Sequence, residues 1–73
     1  MASIDDNKFL QKLGDRIRRQ REARGLTQQQ LGDFCELHRT FIGSVERGER
    51  NLAVLNLRRI AQVLRVKLAE LLD

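Results

Sequence analysis

The sequence predicts an all-α domain built from five short helices. Apolar residues recur at spacings of three and four along most of the chain, as they do on one face of a helix. Residues that cap helix N-termini precede two of these stretches, and Gly follows two of them. No stretch shows the strict alternation of a half-buried strand. At 73 residues, the chain is expected to form one compact domain over residues 1–73.

Composition narrows the classes of function. The chain has 14 Lys and Arg against 10 Asp and Glu, which gives a net charge of +4. This balance suits nucleic acid and would also suit an acidic lipid surface, so charge alone decides little. Only three aromatic residues are present, which argues against a platform that stacks single-stranded bases. No apolar run approaches the roughly 20 residues of a membrane span, and we expect no membrane partner.

The N-terminus and the single cysteine indicate a cytoplasmic protein. The first six residues are acidic and lack an apolar run, so no signal peptide is expected. Cys35 cannot form an internal disulfide, which favours a reducing compartment. Because the chain has only one His in addition to this Cys, a metal site is not expected either. Cys35 is interpreted as an inert, buried thiol.

The first helix is predicted from Asn7 to Arg24, after a frayed start at residues 3–6. Its apolar residues share one face at helical spacing: Leu10, Leu13 and Ile17. Gly25 is expected to end the helix in the left-handed conformation that glycine adopts readily. Arg16 is interpreted as solvated, while Arg18 is either solvated or a contact to phosphate.

The strongest local signal begins at Leu26. Thr27 and Gln30 have the spacing of a capping box, and Leu26 with Leu31 that of a hydrophobic staple. Gly32, inside the predicted helix, costs about 1 kcal/mol relative to Ala, so we expect another helix to approach it closely. Three residues are expected to face the core: Leu31, Phe34 and Cys35.

A second short helix is predicted from His38 to Arg47, after a tight turn. On a helical wheel, Ile42 and Val45 point to the core. The outward face carries small or hydrogen-bonding residues: Arg39, Thr40, Gly43, Ser44 and Arg47. Two helices joined in this way over about residues 27–47 form a helix-turn-helix, whose second helix enters the major groove of DNA. The wheel alone allows a solvated polar face equally well.

The C-terminal region, about residues 52–73, is predicted to hold two more helices. One is regular from about Val54 to Leu64, and the last runs from Lys67 to Leu72. Five apolar residues exceed the needs of a minimal core: Val63, Val66, Leu68, Leu71 and Leu72. The last helix either covers its own domain or forms a two-fold dimer surface. A symmetric dimer would place two recognition helices about 34 Å apart, one turn of DNA.

Residues 27–48 resemble the helix-turn-helix of phage repressor and Cro proteins, the XRE family. Residues 7–72 fit the five-helix plan of that family, the lambda-repressor-like fold. The segment 38–51 resembles the controller proteins of restriction–modification systems, which are small dimers that time endonuclease expression. The resemblance implies a sequence-specific transcriptional regulator that binds a palindromic operator as a homodimer and controls its own operon. It implies double-stranded DNA and a second copy as partners, with no cofactor and no small-molecule ligand.

The resemblance also implies roles for individual residues. Arg21 and Glu46 match an ion pair that ties the first helix to the recognition helix. The residues expected to contact bases are Arg39, Thr40, Ser44 and Arg47. Those expected to contact the DNA backbone are Gln28, Arg18, Phe41, Gly43, Arg50 and Asn51. The expected dimer interface consists of Val63, Val66, Leu68, Leu71 and Leu72.

Some positions depart from the pattern of the family. Glu36 stands in the turn where the family usually has Gly, so it should adopt a left-handed backbone at a cost of roughly 1 kcal/mol. Arg65 replaces another such Gly. Ala53 and Lys67 replace small polar caps, and His38 replaces a better cap, since a neutral imidazole is expected to cap poorly.

Two other functions remain open from the sequence. An antitoxin-like module would bind a partner protein through the apolar C-terminal surface. An architectural protein would bind DNA without sequence preference. No catalytic residues are expected, because neither a pair of carboxylates in a cleft nor a Gly-rich phosphate loop can be recognised in the sequence.

Overall fold

The computed structural model describes residues 3–73; Met1 and Ala2, the start of the predicted domain, lie outside the described residues. The described chain is all-helical, which confirms the predicted fold class. Its five helices are α1 (Ile4–Ala23), α2 (Gln28–Cys35), α3 (Arg39–Glu46), α4 (Val54–Leu64) and α5 (Leu68–Leu72). Within residues 3–73, none of these helices is both long enough and apolar enough to cross a membrane.

Helix α1 begins earlier than predicted. The Asp6 N–H donates to Ser3 Oγ at 3.1 Å, and the Ser3 N–H donates to Asp6 Oδ2 at 3.2 Å. This capping box satisfies backbone donors that would otherwise be left without partners at the helix start. The predicted frayed start was therefore wrong, because Ser3 and Asp6 cap each other reciprocally.

One apolar core joins all five helices. Helix α3 packs against α1 and α2, α4 packs against α2, and α5 packs against α1 and α4. The buried apolar residues are Leu13, Ile17, Leu31, Cys35, Ile42, Val45, Leu57, Ile60, Ala61, Leu64 and Leu71. Helix α3 is thus held on its inner side by two other helices.

Two apolar side chains lie where the sequence did not predict them. Phe34 is 65% exposed, because α2 buries the stripe through Leu31 and Cys35, and Phe34 falls beside that stripe. Its ring borders an open groove together with Arg24, Leu26, Gln62, Val63 and Arg65. Leu71 is fully buried within its own chain, so its expected place at a dimer surface was wrong.

Four helices end in a left-handed residue. Gly25 and Gly48 have φ values of 68° and 77°. Glu36 and Arg65 adopt the same conformation with φ values of 58° and 57°, as their positions in the family pattern implied. Each of these two non-glycine residues costs about 1 kcal/mol or more. Ala53 provides no side-chain cap for α4, whereas at the start of α5 the Lys67 N–H donates to Glu70 Oε2 at 3.3 Å.

Two helical glycines mark points of close backbone approach. A Cβ on Gly32 would overlap the Leu37 carbonyl oxygen, so the close neighbour is the turn after α2 and not another helix as predicted. A Cβ on Gly14 would lie 2.6 Å from the Glu46 carbonyl oxygen and closer still to that of Val45. Gly14 therefore allows α1 to lie directly against the end of α3.

Arg16 is not solvated as expected. It is partly buried, and its Nη1 donates to the Leu71 carbonyl oxygen at 3.3 Å. This contact joins the middle of α1 to α5, the last helix of the chain.

Candidate nucleic-acid interface

Helices α2 and α3 and the turn between them are fixed by local hydrogen bonds. The Gln30 N–H donates to Thr27 Oγ1 at 3.0 Å, and the Thr27 N–H donates to Gln30 Oε1 at 2.9 Å. The predicted capping box is therefore confirmed. After α2, the Leu37 N–H donates to the Gly32 carbonyl oxygen at 2.8 Å, which closes the turn around the left-handed Glu36.

His38 caps α3, contrary to the expectation from its imidazole. The Thr40 N–H donates to His38 Nδ1 at 3.0 Å, in the position where an Asn or Asp oxygen would ordinarily accept. The Nδ1 atom can accept because it carries no proton in the neutral tautomer with hydrogen on Nε2. The start of α3, where Arg39 and Thr40 lie, is held by this bond.

A buried ion pair locks α3 to α1. Arg21 Nε lies 2.6 Å from Glu46 Oε2, and Arg21 Nη2 donates to Glu46 Oε1 at 3.0 Å. The Arg21 and Glu46 side chains are only 12% and 4% exposed. The hydrogen bond to Glu46 raises the pKa of Arg21, although burial opposes it. This is the tie between the first helix and the recognition helix that the resemblance implied.

The same cluster includes the start of α2. Arg21 Nη1 donates to the Leu26 carbonyl oxygen at 2.8 Å, and Gln28 Nε2 donates to Glu46 Oε1 at 3.1 Å. Gln28, expected to contact a DNA phosphate, therefore directs its side-chain amide to Glu46 in the free chain. Three helices thus meet at one carboxylate, which fixes the angle between them.

The outer face of α3 is smaller than the wheel predicted. Arg39, Thr40 and Arg47 are exposed, as expected. Gly43 is buried beside the side chains of Gln28 and Arg47. Ser44 is only 7% exposed, so the expectation that it points outward was wrong.

The loop after α3 explains why Ser44 is buried. The Ser44 hydroxyl donates to the Phe41 carbonyl oxygen at 2.7 Å and accepts from Arg50 Nε at 3.2 Å. The Arg50 guanidinium also lies over the Phe41 ring, 5.3 Å from its centroid. The hydroxyl therefore has its partners within the chain, and direct contact with a base is not expected of it.

Glycine allows the loop to fold back in this way. The Glu49 N–H donates to the Ser44 carbonyl oxygen at 2.9 Å and the Gly48 N–H to that of Val45 at 3.0 Å, a Schellman ending. A Cβ on Gly48 would also lie 2.8 Å from the backbone of Gln11. The start of the loop that carries Arg50 and the exposed Asn51 therefore lies against α1 at Gly48.

Two of the four arginines expected to contact DNA, Arg18 and Arg47, have acidic partners. Arg47 forms two hydrogen bonds with Glu49, at 3.1 and 3.2 Å, and both side chains are more than half exposed. Arg18 pairs with Asp15, which also binds Arg19 at 2.8 Å. In the described part of the chain Arg39 forms no ion pair; it borders an open recess with Gln29, Asp33 and His38.

We expect Glu49→Gln to strengthen binding to any duplex, because it removes a carboxylate that competes with phosphate for Arg47. The gain should be about threefold, and the log–log salt dependence should steepen by about 0.9 if Arg47 gains one phosphate. The measurement is fluorescence anisotropy across a salt series. Glu70→Gln on α5 is the matched control. An equal gain in affinity there would show that the effect comes from the change in net charge alone and not from the release of Arg47.

Neither a metal-binding cluster nor a reactive cysteine is found among residues 3–73. No group of three or more His, Cys, Asp or Glu is placed to hold a metal ion within this part of the chain. Cys35 is fully buried, and burial raises the pKa of its thiol although Arg59 opposes the shift. A protonated, inaccessible thiol is a poor nucleophile and a poor redox sensor.

The sequence analysis did not predict three features that shape this site: the close approach at Gly14, the pairing of Glu49 with Arg47, and the internal hydrogen bonds of Ser44. Gly14 gave a usable signal, since glycine inside a long helix indicates close approach. No sequence signal predicted the pairing of Glu49 with Arg47 or the hydrogen bonds that Ser44 forms within the chain. Both depend on how the loop after α3 folds back, which helical periodicity does not describe.

A capped helix-turn-helix, with its second helix buried on one side and bearing Arg and Thr on the other, defines a DNA-binding domain. Residues 17–71 match the model of the helix-turn-helix family HTH_3. The chain belongs to this family.

Two relatives of the chain are control proteins. The chain is 42% identical to the control protein C.SmaI of Serratia marcescens over 60 residues, which cover 82% of this chain and 71% of that protein. It is 38% identical to the control protein C.BamHI of Bacillus amyloliquefaciens over 61 residues, 82% and 75% of the two chains. The crystal structure of the restriction–modification controller protein C.AhdI from Aeromonas hydrophila superposes with a TM-score of 0.82 at 40% identity, covering 85% of this chain and 94% of that one. The chain is therefore homologous to restriction–modification controller proteins.

Proposed function

We propose that the chain is a cytoplasmic, homodimeric regulator that binds a palindromic operator and controls transcription of its own operon, as a restriction–modification controller protein. The observation that carries the proposal is the position of α3. One side is locked by the Arg21–Glu46 pair and the core, and the other presents Arg39 and Thr40 to solvent. A rigid helix with free donors on its outer side suits the major groove.

Base recognition is assigned to the exposed residues of α3. Arg39 can donate two hydrogen bonds to O6 and N7 of guanine, which discriminates between bases by about 1–3 kcal/mol. Thr40 can hydrogen-bond a base edge or place its methyl group against that of thymine. Arg47 is assigned to a base or a nearby phosphate, for which it must leave Glu49.

Contacts to the DNA backbone are assigned to the periphery of α3. Arg50 and Asn51 lie in the loop that follows α3, while Gln28 lies beside its middle. Arg18 is included on the basis of the resemblance and would exchange Asp15 for phosphate. Contacts of this kind position the protein on the duplex and carry no sequence information themselves.

A homodimer is proposed from the half-buried apolar residues of the C-terminal region. These are Val63, Val66, Leu68 and Leu72, which pack against the core but keep part of their surface in solvent. Leu71 is left out because it is fully buried in its own chain. A two-fold dimer formed through this surface would carry two copies of α3, one for each half of a palindromic site.

Replacing Val66 with Asp is expected to weaken the dimer at least about 100-fold, because a carboxylate would have to be buried at the interface without a partner. Sedimentation velocity over a concentration series measures the change. Ile4→Asp is the matched control, since Ile4 is a 75% exposed apolar residue at the start of α1, about three helical turns before Arg16, which contacts α5. If Val66→Asp leaves the dimer intact while Ile4→Asp disrupts it, the assignment of the surface is wrong.

Selection from a randomised duplex library tests the function as a whole. The full-length chain should enrich a palindrome whose half-sites lie about one helical turn apart, near 10 base pairs. Binding to the enriched duplex should exceed binding to random duplex by a factor of about 1000 or more at physiological salt. A library that shows no enrichment, with affinity set by salt alone, would instead indicate an architectural protein.

A further inference from the structure

Arg50 is held on two sides by the helix that precedes it. Its Nε donates to the buried Ser44 hydroxyl at 3.2 Å, and its guanidinium plane lies over the Phe41 ring. The Ser44 hydroxyl is in turn fixed by its own bond to the Phe41 carbonyl oxygen at 2.7 Å. Within the described chain, Arg50 is the arginine near α3 whose orientation is set by neutral groups instead of a carboxylate.

This arrangement leaves a defined set of donors free. A guanidinium has five N–H groups, and the one on Nε is used by Ser44. Within residues 3–73, the two terminal nitrogens, Nη1 and Nη2, have no hydrogen-bond partner. They can donate together to two adjacent acceptors, the end-on form of a bidentate contact. Neither the phenyl ring nor the hydroxyl neutralises the positive charge.

We propose that Ser44 and Phe41 are positioning residues that orient Arg50 before DNA arrives, so that Nη1 and Nη2 meet a pair of acceptors on the duplex. The proposal rests on the proposed function. Its chemical content is a paired acceptor, either two oxygens of one phosphate, in keeping with the assignment of Arg50 to the DNA backbone, or O6 and N7 of a nearby guanine, which would make Arg50 a base-reading residue as well. An arginine that is already oriented loses less side-chain entropy on binding than an arginine that moves freely in solvent.

A double-mutant cycle tests whether Ser44 acts through Arg50. The probe is the duplex enriched from the randomised library by the wild-type chain, with random duplex beside it. Arg50→Ala should weaken binding to the enriched duplex about tenfold. Ser44→Ala should weaken it by less, about fivefold, which is near the typical net contribution of one hydrogen bond. In the Arg50→Ala background, Ser44→Ala should have less than about a twofold effect, since its partner is absent.

Phe41→Leu provides a second, independent cycle with Arg50. Leucine keeps apolar volume against the core and removes the aromatic face beneath the guanidinium. Its effect should also vanish in the Arg50→Ala background, so the inference can be tested even if Ser44→Ala unfolds the chain. Denaturation of each variant separates a loss of folding from a loss of orientation. Losses that simply add in both cycles would overturn the inference.

The base preference and salt dependence of Arg50→Ala identify the acceptor, and the preference of the wild-type chain separates this inference from the proposed function. If Arg50→Ala relaxes preference at one base pair, the acceptor is guanine; if it weakens all duplexes equally and flattens the salt dependence, the acceptor is phosphate. Either result supports the inference when the cycles show coupling. Additive cycles with an intact wild-type preference for the enriched duplex defeat the inference alone. A wild-type chain without such preference defeats the proposed function and the inference with it.

Discussion

Arg21→Ala should lower the free energy of unfolding by about 3 kcal/mol, because it leaves the Glu46 carboxylate buried with too few partners. Arg21, on α1, donates three hydrogen bonds: two go to the Glu46 carboxylate and one goes to the Leu26 carbonyl oxygen. Among residues 3–73, only the Gln28 amide would still donate to that carboxylate. Such a loss is a large share of the roughly 5 kcal/mol expected of a small domain.

Urea denaturation at one fixed protein concentration measures this loss, since the proposed dimer would make the apparent stability depend on concentration. Arg18→Ala is the matched control, on the same helix and also in an ion pair, but with its side chain 48% exposed. It should change stability by less than about 1 kcal/mol. If the two substitutions have equal effects, the Arg21–Glu46 pair does not hold α3 in place.

Gly14→Ala is the second substitution with a large expected effect, and its sign is opposite to that of helix propensity. Alanine normally stabilises a helix interior by about 1 kcal/mol relative to glycine. At this position the added methyl would meet the carbonyl oxygens of Val45 and Glu46, which are backbone atoms and cannot rotate away. We expect a net loss of about 2–3 kcal/mol, in the range of overpacked cores.

Gly43→Ala is the control for that substitution. A Cβ on Gly43 would meet Arg47 Nη1 at 3.2 Å and the Gln28 amide beyond it, both at the ends of flexible side chains. Its stability should therefore stay within about 1 kcal/mol of the wild type. Equal thermal shifts for the two alanine variants would show that α1 and α3 do not approach as closely as the structure has them.

Local sequence signals predicted the elements of this fold because each depends on residues close in the chain. The capping box at Thr27, the left-handed Gly25 and the inward stripe of Ile42 and Val45 are set within one or two helical turns. The left-handed backbone at Glu36 followed from the family pattern and is present with φ of 58°. These features suffice to place α2 and α3.

The features that the sequence did not predict depend on contacts between elements that are distant along the chain. Ser44 is buried because the loop after α3 folds back over it, and Leu71 because α5 packs against α1 and α4. Phe34 is exposed because the buried stripe of α2, through Leu31 and Cys35, passes beside that residue. A helical wheel shows which residues share a face but not which neighbours cover that face. The base and backbone contacts remain predictions for the same reason, since they depend on a second molecule.

Binding of Arg39→Ala to enriched and random duplexes tests the central claim, that the outer face of α3 reads sequence. Arg39 is exposed and forms no ion pair in the described chain, so the fold should be unaffected. We expect a loss of about 1–3 kcal/mol per half-site on the enriched duplex, with preference relaxed at one base pair and little change on random duplex. An equal loss on both duplexes would show that Arg39 contacts only the DNA backbone and would contradict the claim.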